Sequence, residues 1–358
     1  MTHLRRDNDT MWTILGHAPM LAALDRALAS ESPAHAWLFS GPEGVGKRAT
    51  ALEFAAALNC ESVNRPCGEC RPCRDTLAGR HPDVEIVEPG GLCDEPDHRD
   101  HADSRDLRIC QIRRLERVIS LSPYAGGRRV AIVDDADTLR VEAANAFLKT
   151  LEEPPAGTVI ILLAEREERL PDTVLSRCQR LTFRPIDRQT ILAALLAHEA
   201  DPVQAEAIAG AAAGRLGWAL RALEDPALLD ERSVMLDQAL RIAHASRFER
   251  FAWAKEAEAR GPDAKERYQR ELRVWEDWWR DVLLASSGTL KGAINGDRAA
   301  VLAEEGRLYA KADVVRFLRS LIQTREYLYA NVDAQLALEN LTMDLPPSSG
   351  QTGRGRTN

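Results

Sequence analysis

The residues best suited to chemistry form a run of glycines that ends in a lysine, namely Gly41, Gly44, Gly46 and Lys47. This spacing is typical of a phosphate-binding loop, in which backbone N–H groups surround the phosphates and the lysine pairs with the outer ones. The hydroxyl of the following residue normally holds Mg²⁺, but here that residue is Arg48. Thr50 cannot replace it, because it lies about 200° further around the helix. The sequence therefore predicts an ATPase fold that hydrolyses ATP poorly or serves another purpose.

A second acidic motif follows an apolar stretch that begins at Val130 and ends in Asp134 and Asp135. In a fold with a phosphate-binding loop, this strand lies beside the loop and its terminal aspartate contacts the Mg²⁺ shell. Asp134 would take that role, and Asp135 would stand where a glutamate usually polarises water. Alternatively, both acids only cap the following helix. The motif alone is ambiguous, but together with the glycine loop it favours a nucleotide-binding fold.

Four cysteines, Cys60, Cys67, Cys70 and Cys73, have the spacing C-x6-C-x2-C-x2-C. Four thiolates can close a tetrahedral zinc site, and no position then remains for water, so we expect a structural Zn²⁺. A ferredoxin-type cluster would need a further cysteine and a proline just after Cys73, and Leu77 and Ala78 supply neither. Disulfides are disfavoured in a reducing compartment.

An acidic segment, residues 90–106, offers a second and weaker set of metal ligands in Cys93, His98 and His101. Loose acidic segments with histidines rarely fix ligand geometry, so a solvated surface loop is the preferred interpretation.

Short β-rich stretches alternate with helical ones in the first half of the chain, at residues 36–40, 84–87, 130–134, 159–163 and 180–183. This order predicts a parallel sheet with helices on both faces, which is an α/β fold. After Pro185 the pattern is helical, and Trp275, Trp278, Trp279 and Leu283 fall on one helix face. We interpret this stripe as core packing, with a partner helix as the alternative.

Composition restricts the possible functions of this 358-residue chain. Its net charge of −8 argues against unaided DNA binding through a basic face. The longest apolar run, residues 191–197, is too short to span a membrane, and the polar start of the chain lacks the apolar core of a signal peptide. We therefore expect a cytoplasmic protein.

Several longer motifs together resemble the bacterial clamp-loader AAA+ proteins over about residues 12–345. They include the run from Asn145 to Pro155, the triplet of Ser176, Arg177 and Cys178, and the triplet from Trp279 to Asp281. The resemblance implies four regions: an AAA+ P-loop domain with an inserted four-cysteine zinc module (1–186), a helical lid (187–229), a helical collar (230–345) and a disordered tail (346–358).

Within that family the chain resembles a stator subunit more than the gamma/tau motor. A motor would have threonine in place of Arg48, a small hydroxyl residue where this chain has Glu165, and a lid arginine near Gly217. These three departures concern one active site. The resemblance implies that ATP with Mg²⁺ binds weakly at most, and that the chain's own ATPase is weak or absent.

The resemblance also gives Arg177 a role. In the family the arginine of this triplet projects into the ATP of a neighbouring subunit, where such a residue acts in trans as an arginine finger. A salt bridge beside the fifth strand is the alternative. The implied partners are the gamma/tau and delta subunits, the sliding clamp and primer-template DNA within the complex, with no membrane.

Two other functions remain open. The first is a gamma/tau-like motor that hydrolyses ATP itself, which Lys47 and Asp134 keep possible. The second is a stand-alone zinc-containing DNA-repair ATPase, although such proteins usually place their cysteine module before the phosphate loop. ATP turnover by the purified chain distinguishes the first alternative, and high-affinity DNA binding by the isolated chain distinguishes the second.

Overall fold

The computed structural model describes six stretches of the chain: residues 12–30, 33–95, 104–124, 127–259, 264–330 and 332–347. They form two compact units. The first runs through His198 and includes Gly214–Trp218, and the second comprises Glu199–Ala213 and the chain from Ala219 onwards. His98, His101 and most of the expected tail lie outside the described residues. The division into P-loop domain, lid and collar stays a prediction.

A five-stranded sheet forms the centre of the first unit, with strands β1 (Ala36–Ser40), β2 (Val84–Val87), β3 (Arg129–Val133), β4 (Thr158–Ala164) and β5 (Gln179–Thr182). Their order across the sheet is β2-β3-β4-β1-β5, and every neighbouring pair is parallel. Each predicted strand is present within one residue at either end. The strand that precedes the glycine loop therefore lies between β4 and β5.

Helices cover both faces of this sheet, as the sequence predicts. They are α1 (Ala18–Ala29), α2 (Lys47–Leu58), α3 (Arg71–Leu77), α4 (Ile109–Ser120), α5 (Val141–Glu152), α6 (Asp172–Leu175) and α7 (Arg188–Ala197). Side chains of β1 alternate between the faces: Trp37 and Phe39 join a core with α1 and α2, whereas Leu38 joins a core with α4 and α5. Sheet and helices together have the architecture of an AAA+ P-loop module.

The remaining helices are α8 (Pro202–Ala211), α9 (Leu216–Glu224), α10 (Ala227–His244), α11 (Arg247–Ala259), α12 (Ala264–Ser286), α13 (Ala299–Leu308), α14 (Lys311–Tyr329) and α15 (Ala334–Met343). All three tryptophans of the predicted stripe on α12 are at most 1% exposed, and Leu283 packs against the same core. The core-packing interpretation is confirmed.

A buried carboxylate fixes the end of α12 within the second unit. Asp281 is fully buried and accepts hydrogen bonds from the backbone N–H and the side-chain amide of Asn295, both at 2.8 Å. The guanidinium of Arg232 on α10 donates to the Asn295 side-chain oxygen at 2.7 Å. These contacts give Asp281, the third residue of the triplet that begins at Trp279, a structural role inside the second unit.

Among the helices that the structure describes, none combines the length and the apolar composition of a membrane span.

Candidate functional site

The glycine loop connects β1 to α2 and has the backbone of a phosphate cradle. Gly41, Gly44 and Gly46 all have positive φ angles, of 142°, 77° and 108°. A Cβ at Gly41 would lie 2.2 Å from the Phe183 carbonyl oxygen, so only glycine fits there. The first N–H groups of α2 follow directly, and such a helix terminus attracts anions. The loop residues therefore suit a phosphate group.

Lys47 turns back onto this loop. Its Nζ donates to the carbonyl oxygens of Gly41 at 2.5 Å and Pro42 at 3.0 Å. Burial lowers the pKa of Lys47, and the charges of Glu165 and Asp137 partly oppose that shift. The ammonium group is thus near both the loop and a cluster of acids.

Arg48 makes the contact that the sequence did not predict. Its Nη1 donates to Asp134 Oδ2 at 2.7 Å and to Glu88 Oε2 at 2.8 Å. Burial alone lowers the pKa of Arg48, but the hydrogen bonds and charges of Glu88 and Asp134 outweigh it and raise that pKa. Thr50 is fully buried and its hydroxyl donates to the Gly46 carbonyl oxygen, so it offers no substitute for the missing hydroxyl.

Three aspartates follow β3 and occupy different environments. Desolvation, followed by repulsion from Asp134 and Asp137, raises the pKa of Asp135 to about 6. Asp135 also has a left-handed backbone, with φ 48°, and its side chain caps no N–H of the short 3-10 turn that follows. Asp137 accepts the backbone N–H groups of Glu165 and Arg166. The aspartates therefore crowd negative charge beside Lys47 and do not cap that turn.

Two further residues support the loop. The ring Nε2 of His17 is 2.9 Å from the Val45 carbonyl oxygen, and burial lowers the pKa of His17. The Gly217 N–H donates to the Gly44 carbonyl oxygen at 2.7 Å. A Cβ at Gly217 would lie 3.0 Å from that same oxygen, which explains why a glycine suits this position. Neither contact could be inferred from spacing along the chain.

The four cysteines converge as predicted. Their sulfur atoms all lie within 4.8 Å of one another, with Cys60 and Cys70 3.9 Å apart and Cys67 and Cys73 4.0 Å apart. A tetrahedral ion with bonds of about 2.3 Å to sulfur requires sulfur separations of about 3.8 Å. The backbone N–H of Cys70 lowers the pKa of Cys67 to about 6, whereas burial raises the pKa of Cys73. The cluster could hold one metal ion.

Arg177 lies in the short turn between α6 and β5. Its Nε donates to Glu152 Oε1 at 2.7 Å, and its Nη1 donates to the Thr173 carbonyl oxygen at 2.6 Å. The side chain of Arg177 keeps 30% of its surface exposed, and that of Glu152 keeps 49%. The salt bridge considered for Arg177 therefore exists, and solvent still reaches the guanidinium.

Arg177 and the glycine loop lie at opposite ends of the neighbouring strands β5 and β1. Trp37 of β1 pairs with Gln179 of β5, and Ser40 pairs with Thr182. The loop follows the carboxyl end of β1, whereas Arg177 precedes the amino end of β5. Four strand residues separate these levels by about 13 Å, which exceeds the reach of an arginine side chain. Of the predicted site residues, the structure thus assembles the loop with the acidic strand, and it places Arg177 elsewhere.

Comparisons with known proteins agree with this architecture. A family model described as DNA polymerase III, delta subunit, matches residues 16–187. The DNA polymerase III subunit delta' of Bacillus subtilis is 27% identical over 335 residues, which cover 91% of this chain and 95% of that protein. Subunit delta' of Pseudomonas aeruginosa is 40% identical over 147 residues, covering 40% of this chain and 42% of the relative. Subunit tau of Escherichia coli is 29% identical, and the match covers 92% of this chain and 52% of tau.

Among solved structures, a gamma subunit-related protein of Thermotoga maritima is 18% identical with a TM-score of 0.39, covering 90% of this chain and 97% of that one. The sheet order and the glycine loop between β1 and α2 define a P-loop module of the AAA+ class. Within that class, the chain is similar to DNA polymerase III subunits, and its homologues include both delta' and tau subunits.

Proposed function

We propose that this chain is the delta'-type stator subunit of a bacterial DNA polymerase III clamp loader. In that role it helps to place the sliding clamp on primed DNA and supplies Arg177 to the ATP of a neighbouring gamma/tau subunit. The position of Arg177 carries the proposal: this solvent-accessible guanidinium lies at the amino end of β5, whereas the chain's own phosphate loop lies at the carboxyl end of the neighbouring β1, so a phosphate that it contacts belongs to another chain.

The glycine loop of this chain also supports the assignment of hydrolysis to the neighbouring subunit. Arg48 replaces the hydroxyl residue and contacts Asp134, Glu165 follows β4 where the motor has a hydroxyl residue, and Gly217 carries no charge. An arginine that acts in trans stabilises the charge on the transferring phosphoryl group and accelerates hydrolysis by about 10³–10⁵-fold in other NTPases. The chain contributes this group to a partner while its own loop is adapted away from hydrolysis.

The remaining parts of the proposal concern architecture and cofactors. The helices of residues 230–345 form a collar with the delta and gamma/tau subunits, and residues 187–229 form the lid. The four-cysteine cluster holds a structural Zn²⁺, because four thiolates at this spacing leave no open coordination position. Primer-template DNA and the sliding clamp are partners of the assembled complex.

The test is Arg177→Ala in a reconstituted clamp loader, with ATP hydrolysis measured in the presence of clamp and primed DNA. We expect the neighbouring ATP site to lose its hydrolysis by about 10³-fold or more, while size-exclusion chromatography shows an intact complex. Arg180→Ala is the matched control, since Arg180 lies three residues away and is 55% exposed. Unchanged hydrolysis in Arg177→Ala would refute the trans role.

A gamma/tau-like motor remains the second candidate, because Lys47 and Asp134 are retained. If the purified chain hydrolysed ATP at the rate of a typical motor in a Mg²⁺-dependent manner, this candidate would replace the stator. The contact between Arg48 and Asp134 argues against it, because it occupies the carboxylate that the metal shell needs.

A further inference from the structure

At Arg48 the chain has not only lost the hydroxyl group of a metal site but has also gained a guanidinium group. In a working loop, a hydroxyl and a strand carboxylate hold Mg²⁺ between them. Here Nη1 of Arg48 lies 2.7 Å from Asp134 Oδ2 and 2.8 Å from Glu88 Oε2. One guanidinium nitrogen thus bridges a carboxylate that the metal shell needs and a second carboxylate beside it.

A guanidinium and Mg²⁺ cannot share this position. Mg²⁺ requires oxygen ligands at about 2.0–2.1 Å in near-octahedral geometry, whereas arginine offers only N–H donors and keeps its charge. Asp134 is the more buried partner, with 18% of its side chain exposed against 51% for Glu88. Its carboxylate is therefore neutralised by a cation that is covalently part of the chain.

Other polar groups of the loop are also satisfied from within the first unit. Lys47 donates to the carbonyl oxygens of Gly41 and Pro42 at the start of the loop. The Gly44 carbonyl oxygen accepts the Gly217 N–H. These contacts hold Lys47 and Gly44 against groups of the first unit.

We propose that Arg48 is a built-in cation that takes the place of Mg²⁺, so that this loop keeps its shape without metal and excludes the Mg²⁺–nucleotide complex. This role of Arg48 goes beyond the proposed function, since it concerns the phosphate loop of this chain and not the action of Arg177. If Arg48 alone prevents Mg²⁺ from binding, a single substitution at this position restores metal binding.

The decisive variant is Arg48→Thr in the full chain. This change removes the guanidinium from Asp134 and supplies the missing hydroxyl, while the glycines and Lys47 remain. Binding of a fluorescent ATP analogue is titrated with Mg²⁺ or in Mg²⁺-free buffer without chelator, which leaves the four-cysteine cluster intact. For the variant we expect binding at least about tenfold tighter with Mg²⁺ than without it, and for the wild type no Mg²⁺-dependent binding.

Two further variants test whether the gained binding requires metal coordination or follows from the loss of any exposed arginine. Arg48→Thr combined with Asp134→Asn should lose the gained Mg²⁺ dependence, because the second metal ligand is gone. Arg316→Thr is the matched control, since Arg316 is an exposed arginine of the second unit that also pairs with an aspartate, and it should behave like the wild type.

Thermal unfolding of the wild type gives an independent measurement. Mg²⁺ with ATP should leave its melting temperature unchanged, because a ligand that does not bind the native state cannot stabilise it. A shift for the wild type, or a folded Arg48→Thr variant without Mg²⁺-dependent binding, would overturn the proposal. Either result leaves the trans role of Arg177 intact, since that role is tested by hydrolysis in the assembled complex.

Discussion

Arg177 and Glu152 form an ion pair between the end of α5 and the turn before β5, with Nε and Nη2 of the arginine both directed at one carboxylate oxygen. The two residues are 25 positions apart in the chain, and both side chains remain partly exposed. The ion pair thereby orients the guanidinium, and under the proposed trans role a phosphate of another subunit would compete with Glu152 for it.

The strength of this pair can be measured with a double-mutant cycle of Glu152→Gln and Arg177→Ala. Because both groups are partly exposed, we expect a coupling free energy of about 0.2–1 kcal/mol. Denaturant unfolding of the wild type, the two single variants and the double variant gives this value. Strictly additive effects would show that the pair contributes nothing to stability.

Metal content tests the four-cysteine cluster. The purified chain should contain about one zinc ion, and Cys70→Ser should lose it, because three thiolates leave the site open. Removal of the metal should lower the melting temperature, since metal affinity is coupled to folding. Elemental analysis and thermal unfolding provide the two readouts.

Cys93→Ser is the control for this experiment. Cys93 lies outside the four-cysteine cluster, so its replacement should leave zinc content and melting temperature at the wild-type values. Loss of zinc in Cys93→Ser, or its retention in Cys70→Ser, would contradict the assigned ligand set.

The pKa of Asp135 predicts a pH-dependent gain in stability for Asp135→Asn. Because the folded-state pKa is raised from 3.8 to about 6, the wild type is most stable below the lower value and loses stability as pH rises through the higher one. Asparagine cannot ionise, and it tolerates a positive φ.

The variant should therefore be more stable than the wild type at about pH 8, and the difference should shrink towards about pH 5. Although neighbouring groups partly desolvate the Asp135 carboxylate, solvent still reaches its side chain, so screening limits the gain to under about 1 kcal/mol. Melting temperatures of both proteins at the two pH values measure it. A difference that does not change with pH would exclude Asp135 as its source.

Trp279 should be essential for the second unit. Its ring packs edge-on against Tyr309 and Phe317, with centroid distances of 5.0 Å in both cases. Trp279→Ala should cost about 3–5 kcal/mol of unfolding free energy, measured by denaturant unfolding. Phe248→Ala should change it by under about 0.5 kcal/mol, because Phe248 is 83% exposed. Equal effects of the two substitutions would contradict the packing described for α12.

The sequence predicted those features whose signals are local. The strand before the glycine loop, the helix from Lys47 and the convergent cysteines all follow from periodicity and spacing over fewer than about 20 residues. The tryptophan stripe on α12 is likewise visible at helical spacing. For such elements, local residue preferences and burial in the fold agree.

The contacts of the loop could not be predicted in this way. Glu88 reaches Arg48 because β2 pairs with β3, which brings the residue after one strand close to Asp134 after the other. Gly217 reaches Gly44 across nearly half the chain's length. These contacts depend on strand order and on helix placement, and the residue types alone carry no signal for them.

The pairing of β5 with β1 has a mechanical consequence. If β5 slipped by one residue along β1, every side chain of β5 would point to the opposite face of the sheet, and Leu181 would leave its place in the core. The strand therefore cannot slide to bring Arg177 towards a partner or to withdraw it. Apart from side-chain rotation and small adjustments of the turn, the position of Arg177 changes only when the sheet moves as a rigid body. Under the proposed trans role, hydrolysis in a neighbour would therefore depend on the orientation of the whole first unit.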